Sequence, residues 1–341
     1  MKILILKPSS LGDVVQALPV LRLLKLHWPD SEIFWWIDSA LAPLLEEDPD
    51  LAGIVRFERR RWTIPANWPE IWHSIQWMRR QSFDLVIDLQ CLLRSGAFAW
   101  LANGKFLIGL DEPREGARGF YDVAVRRASF HTHAADWYLA VLPALNVPVH
   151  RNFAWLPERP SISAEVKRKW DTASARWIVI QPGARWLNKR WPVEKYADLV
   201  RQLAAARPDV RFAILGSGDD CEAGAAIAQA NPQRTLDLTG KISLPEMIEW
   251  IRLSELMISN DTGPMHVAAA LGKPVLAIFG PTEPRRTGPY RQLQNVVRID
   301  LPCAPCLKPH CTYSKPMECL RAISPELVFT RATSLLAAPA A

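Results

Sequence analysis

Short apolar runs recur along the whole chain, and each is followed by a longer stretch with helical spacing. The runs are Lys2 to Leu6, Glu32 to Ile37, Leu85 to Leu89 and Phe106 to Gly109, then Trp177 to Gln181, Arg211 to Leu215, Leu256 to Ser259 and Val275 to Phe279. Amphipathic segments such as Val193 to Ala205 and Leu244 to Leu253 lie between them. A strand buried on both faces reads as a continuous apolar run, and helices that cover it read as one-sided stripes, so the pattern predicts parallel α/β sheets. The runs fall into two groups. Between them the segment from Val147 to Ser163 carries Pro148, Pro157 and Pro160 and has no helical period. With 341 residues, a length that suits two domains of roughly 150, the expected division is 1–150, a linker at 151–163, and 164–341. The last helix is expected to reach back onto the first domain.

Doubly wound sheets bind ligands at the carboxyl ends of their strands, so two such domains are expected to face each other across a cleft lined by the loops that follow strands. In the first of these, Lys7-Pro8-Ser9-Ser10-Leu11-Gly12-Asp13, Gly12 permits a tight turn, Ser10 and nearby amides suit an oxyanion, and Asp13 offers a carboxylate. The same residues also suit a helix cap. The loop Ser259-Asn260-Asp261-Thr262-Gly263-Pro264-Met265-His266 runs into the helical VAAALG, where a helix start can seat a diphosphate with His266 beside it. Capping by Asp261 or Thr262 and a core position for His266 are the structural alternatives. A third loop, Gln181 to Pro192, sets Arg185, Lys189 and Arg190 beside a glycine turn, which suits phosphate oxygens. Pro192 suits the start of the next helix.

The net charge of +6 supports an anionic ligand on the second half: beyond residue 150 there are 25 Lys and Arg against 18 Asp and Glu, and before it 16 against 17. A diffuse solubilising surface is the plainer reading. No lysine-rich tail or nucleic-acid module is recognisable, so no nucleic-acid partner is expected. No run approaches the ~18 uncharged apolar residues of a membrane span. The N-terminal stretch, interrupted by Lys7 and Asp13, reads as strand, loop and helix and not as a signal peptide. A cytoplasmic location, with the six Cys reduced, is the expectation.

Taken together, KPSSLGDVVQALPVL, REGARGFYD at Arg114 to Asp122, PGARWLNKRWP and SNDTGPMHVAAALGKPVLAIFGPTEP resemble the bacterial ADP-heptose:lipopolysaccharide heptosyltransferase family over nearly the whole chain. The last of these segments is the most specific. The resemblance implies a GT-B fold, with the acceptor on the first domain and a nucleotide sugar on the second. It implies inverting transfer without a metal or other cofactor. It assigns Asp13 as the base, Lys189 as a phosphate ligand, and Asp261, Thr262, Gly263 and His266 as the donor loop, with Glu222 and Ile242 near the adenosine. Arg185 joins the donor side, because negative charge grows on the departing ADP as the base takes the acceptor proton. The implied partners are an ADP-sugar and an anionic glycolipid acceptor, reached by peripheral contact with the cytoplasmic membrane face.

On the acceptor side, Ser10, Gly12, Arg60, Arg61 and Arg114 are the candidates, since arginines pair with carboxylates or phosphates. Trp68, Trp72 and Trp77 follow closely in a chain of 15 Trp. They suit a membrane interface, or Trp68 and Trp72 form a core-facing stripe. Asp48-Pro49-Asp50 matches the acidic pair of metal-using transferases but reads as turn chemistry. Cys303, Cys306, Cys311 and Cys319 are expected to form a structural thiol cluster; zinc, an iron–sulfur cluster or disulfides are the alternatives.

Overall fold

The computed structural model describes residues 1–59, 61–113, 115–172 and 175–337. The chain divides into two units, Met1–Pro157 and Glu158–Ala341.

In the first unit the order is β1 (Lys2–Leu6), α1 (Leu11–His27), β2 (Glu32–Asp38), β3 (Gly53–Phe57), α2 (Trp68–Gln81), β4 (Leu85–Asp88), α3 (Leu93–Leu101), β5 (Phe106–Asp111), β6 (Val123–Arg126) and α4 (Ala134–Leu139). The strands form one parallel sheet in the order β3-β2-β1-β4-β5-β6. Ile3, Leu4, Ile5 and Leu6 are wholly buried, as expected for a central strand covered on both faces. The chain winds outward from β1 in one direction and from β4 in the other. The loops after these two neighbours therefore open at the switch point, where the connections diverge and leave room for a ligand.

The second unit repeats the plan with α5 (Pro160–Trp170), β7 (Arg176–Gln181), α6 (Val193–Ala206), β8 (Val210–Ile214), α7 (Cys221–Ala228), β9 (Thr235–Asp237), α8 (Leu244–Leu253), β10 (Leu256–Asn260), α9 (Gly263–Ala270), β11 (Val275–Ile278), α10 (Pro284–Thr287), β12 (Val296–Val297), α11 (Glu318–Arg321) and α12 (Pro325–Ala337). Its parallel sheet runs β12-β11-β10-β7-β8-β9, which puts the switch point between β7 and β10. The two loops rich in candidate donor residues follow these two strands.

Val328, Ala332 and Leu336 of the last helix, α12, belong to the core of the second unit, together with Leu199, Val200 and Leu203 of α6. Two expectations need correction. The segment expected to be linker up to residue 163 becomes helical at Pro160, where the missing N–H of proline costs nothing in a first turn. Its earlier part is tied to the first unit, because the Trp155 carbonyl accepts from Arg22 at 3.1 and 3.2 Å.

The Asp48-Pro49-Asp50 pair is more than a turn. The buried guanidinium of Arg22 donates to Asp48 at 2.6 Å and to Asp50 at 2.7 Å, so the two carboxylates serve as its counter-ions. Removing one partner of a buried pair leaves a desolvated charge. Asp48→Ala is therefore expected to destabilise the first unit by about 3 kcal/mol, even with Asp50 retained. A urea melt checks this, and a loss below about 1 kcal/mol would show that Asp50 alone satisfies Arg22.

Candidate active site

At the switch point of the first unit, α1 starts at Leu11, which puts Asp13 in its first turn. The Asp13 carboxylate accepts from the Ser10 N–H at 3.0 Å and from the Ser10 hydroxyl at 2.6 Å through one oxygen. Its other oxygen accepts from the Tyr138 hydroxyl at 3.1 Å. Asp13 thus caps the helix and stays half-buried, while Gly12 is buried and Ser10 is exposed. Burial, and then the neighbouring Asp13 charge, push the Tyr138 hydroxyl well above its ordinary pKa, so it remains a donor to Asp13. The buried Lys7 ammonium lies 4.7 Å from the centroid of the Tyr138 ring and donates to the Leu89 carbonyl at 3.0 Å. Neither Tyr138 nor Lys7 was singled out as a site residue in the sequence, and Tyr138 lies 125 residues from the carboxylate it orients.

The loop after β4 adds a second buried carboxylate. Asp88 accepts from Ser95 and Tyr121 at 2.7 Å and from the Gln90 N–H at 2.8 Å. Burial raises its pKa against the pull of these donors. It ties the start of α3 to Tyr121 of the REGA segment. Cys91 beside it is pushed up to about 12, first by burial, so its thiol stays protonated.

In the second unit the loops after β7 and β10 are joined at three points. Lys189 pairs with Asp261 at 2.6 Å, and the Thr282 hydroxyl donates to the same Asp261 oxygen at 2.6 Å. Trp186 lies under the ammonium at 4.7 Å. Buried Asn260 donates to the Pro182 carbonyl at 2.6 Å and accepts from the Trp191 N–H at 3.1 Å, which fixes one loop to the other. Thr262 occupies the N-cap position of α9 and Gly263 begins the helix. The N–H groups of a first turn have no intrahelical acceptor, and Asp261, Thr262 and Gly263 lead into that start. His266 is buried within the same turn.

Beside these loops lies a cavity of about 440 Å³, lined by Arg185, Arg190, Asp219, Asp220, Ile242 and Thr262 among others. Three residues singled out in the sequence as site candidates (Arg185, Ile242, Thr262) meet there. Glu222 is exposed in the first turn of α7 and is not among the lining residues. The carboxylates facing the cavity belong to Asp219 and Asp220 instead. Asp220 accepts from the Ser217 N–H and hydroxyl, both at 2.9 Å, and lies 3.9 Å from Arg190. Arg190 also donates to the Ala184 carbonyl at 2.8 Å.

A Cβ on Gly183 would land on the Asp220 carboxyl group, which Ser217 holds in place. Gly183→Ala is accordingly expected to cost about 1–3 kcal/mol through overpacking. An unchanged denaturation midpoint would show that Asp220 can move aside.

Arg60 and Arg114 lie outside the described residues. Arg61 is exposed and paired with Glu70. Trp68 and Trp72 do not form a core stripe: both are exposed on α2, and Ile75 and Met78 make its buried face. Cys303, Cys306, Cys311 and Cys319 line one small cavity beside Asn188 as free thiols. The backbone N–H groups of Met317 and Tyr313 lower the Cys311 thiol, whereas burial raises Cys319 to about 11. Among the described residues, no group of three or more His, Cys, Asp or Glu is placed to hold a metal ion. No described helix is long and apolar enough to cross a membrane.

Two doubly wound units with polar loops at both switch points define a two-domain α/β transferase of the GT-B class. The family model for glycosyltransferase family 9 (heptosyltransferase) matches residues 71–316, and the chain belongs to that family. It is 30% identical to lipopolysaccharide heptosyltransferase 1 of Pseudomonas aeruginosa across 99% of both chains. The structure of the Escherichia coli ADP-heptose lipopolysaccharide heptosyltransferase II aligns over 98% of both chains, with 25% identity and a TM-score of 0.80. The Escherichia coli heptosyltransferase WaaC with ADP aligns over 98% of this chain and 100% of that one, with 23% identity and a TM-score of 0.80. The chain is therefore a glycosyltransferase.

Proposed function

We propose that this enzyme transfers a heptose from ADP-L-glycero-D-manno-heptose to an inner-core lipopolysaccharide acceptor, Kdo-lipid A or heptosyl-Kdo-lipid A, with inversion at the anomeric carbon. The observation that carries the reading is similarity along the entire chain to a relative named lipopolysaccharide heptosyltransferase 1. The side chains at both switch points are chemically suited to the reaction.

Asp13 takes the proton of the acceptor hydroxyl. That oxygen bonds to the anomeric carbon as the bond from that carbon to the ADP oxygen breaks, and ADP leaves with an added negative charge. Tyr138 and Ser10 keep the carboxylate oriented through the hydrogen bonds described above. In the second unit Lys189, Arg185 and the start of α9 at Thr262 and Gly263 stabilise the charge on the leaving diphosphate. Asp261 holds the Lys189 ammonium in position. The cavity lined by Ile242 and Asp220 takes the nucleoside, and His266 supports the helix start from within. Glu222 keeps a donor role only if donor binding brings the α7 turn toward the nucleoside.

Ser10, Gly12 and Arg61 contribute to the acceptor site, and Arg60 and Arg114 are proposed for its anionic groups. An acceptor anchored in a bilayer calls for work at the cytoplasmic membrane face, so peripheral association is part of the reading. The test is a transfer assay with ADP-heptose and a panel of deacylated acceptors, read by mass spectrometry. The expected product gains one heptose. Efficient turnover of a different nucleotide sugar with none of ADP-heptose would overturn the donor assignment, and tight ADP-heptose binding without turnover on any acceptor would mark a binding protein.

A further inference from the structure

Six of the exposed large apolar side chains of the first unit come from one stretch: Ile64, Trp68, Trp72, Trp77, Leu93 and Trp100. Trp68, Trp72 and Trp100 are 59%, 56% and 60% exposed, unusual values for the largest apolar side chain. They share a layer. Ile75 and Met78 of α2 and Phe98 and Ala99 of α3 belong to one core cluster, so the two helices pack side by side on the same face of the sheet. On α2, Trp68 and Trp72 are four residues apart, which puts them on one outward stripe that Arg79 continues two turns on. On α3, Leu93 and Trp100 are seven apart and again coincide. Trp77 differs, since its ring meets Phe34 edge-to-face at 5.8 Å.

The charge on this layer is mostly basic, with Glu115 accepting from the Leu93 N–H at 3.1 Å at the start of α3. Arg59, Arg61, Arg79, Arg80 and Arg94 are exposed, and α2 carries a single acid, Glu70, already paired with Arg61. Among the described residues, Arg59, Arg79 and Arg80 have no ion-pair partner. Indole rings favour the headgroup depth of a bilayer, where the ring is half-buried and its N–H remains hydrated. Exposed arginines beside them are drawn to anionic headgroups. A soluble protein partner would pair the apolar surface with a rim of balanced charge, whereas here five exposed arginines face only Glu70 and Glu115 among the acids named.

We propose that the outer faces of α2 and α3 form a docking surface for an anionic lipid bilayer. Trp68, Trp72 and Trp100 insert at headgroup depth, and Arg79, Arg80 and Arg94 pair with lipid phosphates. The proposal names the surface for the peripheral association put forward above, yet it is tested without any sugar transfer.

The experiment is co-sedimentation of the full-length protein with vesicles of phosphatidylglycerol and phosphatidylethanolamine, compared with vesicles of phosphatidylcholine alone. The protein should partition preferentially to the anionic vesicles, and added salt should weaken this by screening. Trp68→Ser/Trp72→Ser should lower partitioning about 10-fold or more, given the apolar area withdrawn. Arg79→Glu/Arg80→Glu should abolish the preference for anionic vesicles. Leu26→Ser, an exposed residue of α1 outside this layer, should leave binding unchanged. Transfer to a deacylated acceptor should be the same in wild type and all three variants, which verifies their fold and separates this surface from the acceptor site.

Wild-type protein that ignores anionic vesicles would overturn the proposal, as would a tryptophan variant that sediments like wild type. A dimer that Trp68→Ser/Trp72→Ser converts to monomer, with vesicle binding unaltered, would assign the surface to a second copy of the chain. If the vesicle results hold but no heptose is transferred, the docking surface stands and the catalytic reading falls.

Discussion

Asp13→Asn is expected to leave ADP-heptose binding within about twofold of wild type and to lower kcat by two to four orders of magnitude, the range over which a positioned general base contributes. The structure makes this substitution a clean probe. Asn is nearly isosteric with Asp, and from the third helical position its amide oxygen can still accept from the N–H of the N-cap residue Ser10, so the start of α1 should survive. What disappears is the capacity to take a proton. Isothermal titration with ADP and initial-rate kinetics on one preparation separate the two roles. Normal turnover would mean that Asp13 is only a cap. A lowered melting temperature with weakened ADP binding would mean that the variant reports on folding.

Lys189→Ala is expected to weaken ADP and ADP-heptose binding by about 100-fold, with much less effect on the acceptor KM. Truncating one member of a hydrogen-bonded charge pair costs roughly 2–5 kcal/mol, much of it from the charge left behind. Here that charge is Asp261, 6% exposed and left with Thr282 as its hydrogen-bond donor. Next to a diphosphate it would also repel the ligand. Lys189→Ala/Asp261→Asn should therefore recover part of the loss, because it removes the stranded carboxylate. Equal losses for donor and acceptor would contradict a phosphate role for Lys189. No recovery in the double variant would show that Asp261 is not what repels.

How much of this was legible in the sequence depends on burial. The eight strands recognised as apolar runs are the four inner strands of each sheet, where both faces are covered and nearly every side chain must be apolar. The four missed strands, Gly53–Phe57, Val123–Arg126, Thr235–Asp237 and Val296–Val297, are the two edges of each sheet. Val123–Arg126 and Thr235–Asp237 contain no buried residue, so neither has a run to detect.

The candidate site was legible because loops after strands can be found without knowing the strand order. The order then supplies the reason they matter: β1 lies beside β4, and β7 beside β10. The cap-or-catalyst ambiguity at Asp13 is physical, since the chain uses the same Ser-x-x-Asp box twice. In Ser217 to Asp220 the carboxylate is buried against Gly183, while in Ser10 to Asp13 it is half-buried and oriented by Tyr138. Local sequence cannot separate them, because the difference lies in partners contributed from elsewhere in the chain. Arg22 is the same kind of case: it answers the Asp48 and Asp50 carboxylates from a helix 26 residues away. The resemblance puts Glu222 near the adenosine, whereas the acids that face the cavity are its neighbours Asp219 and Asp220.

The proposed reaction is a single displacement at the anomeric carbon of an ADP-heptose, with Asp13 as the base. The most direct test is the anomeric configuration of the product that wild-type enzyme forms from ADP-L-glycero-D-manno-heptose and a deacylated inner-core acceptor, read by nuclear magnetic resonance. The expected product is a heptoside whose configuration is inverted relative to the donor. A product that retains the donor configuration would require two displacements and would contradict the single displacement.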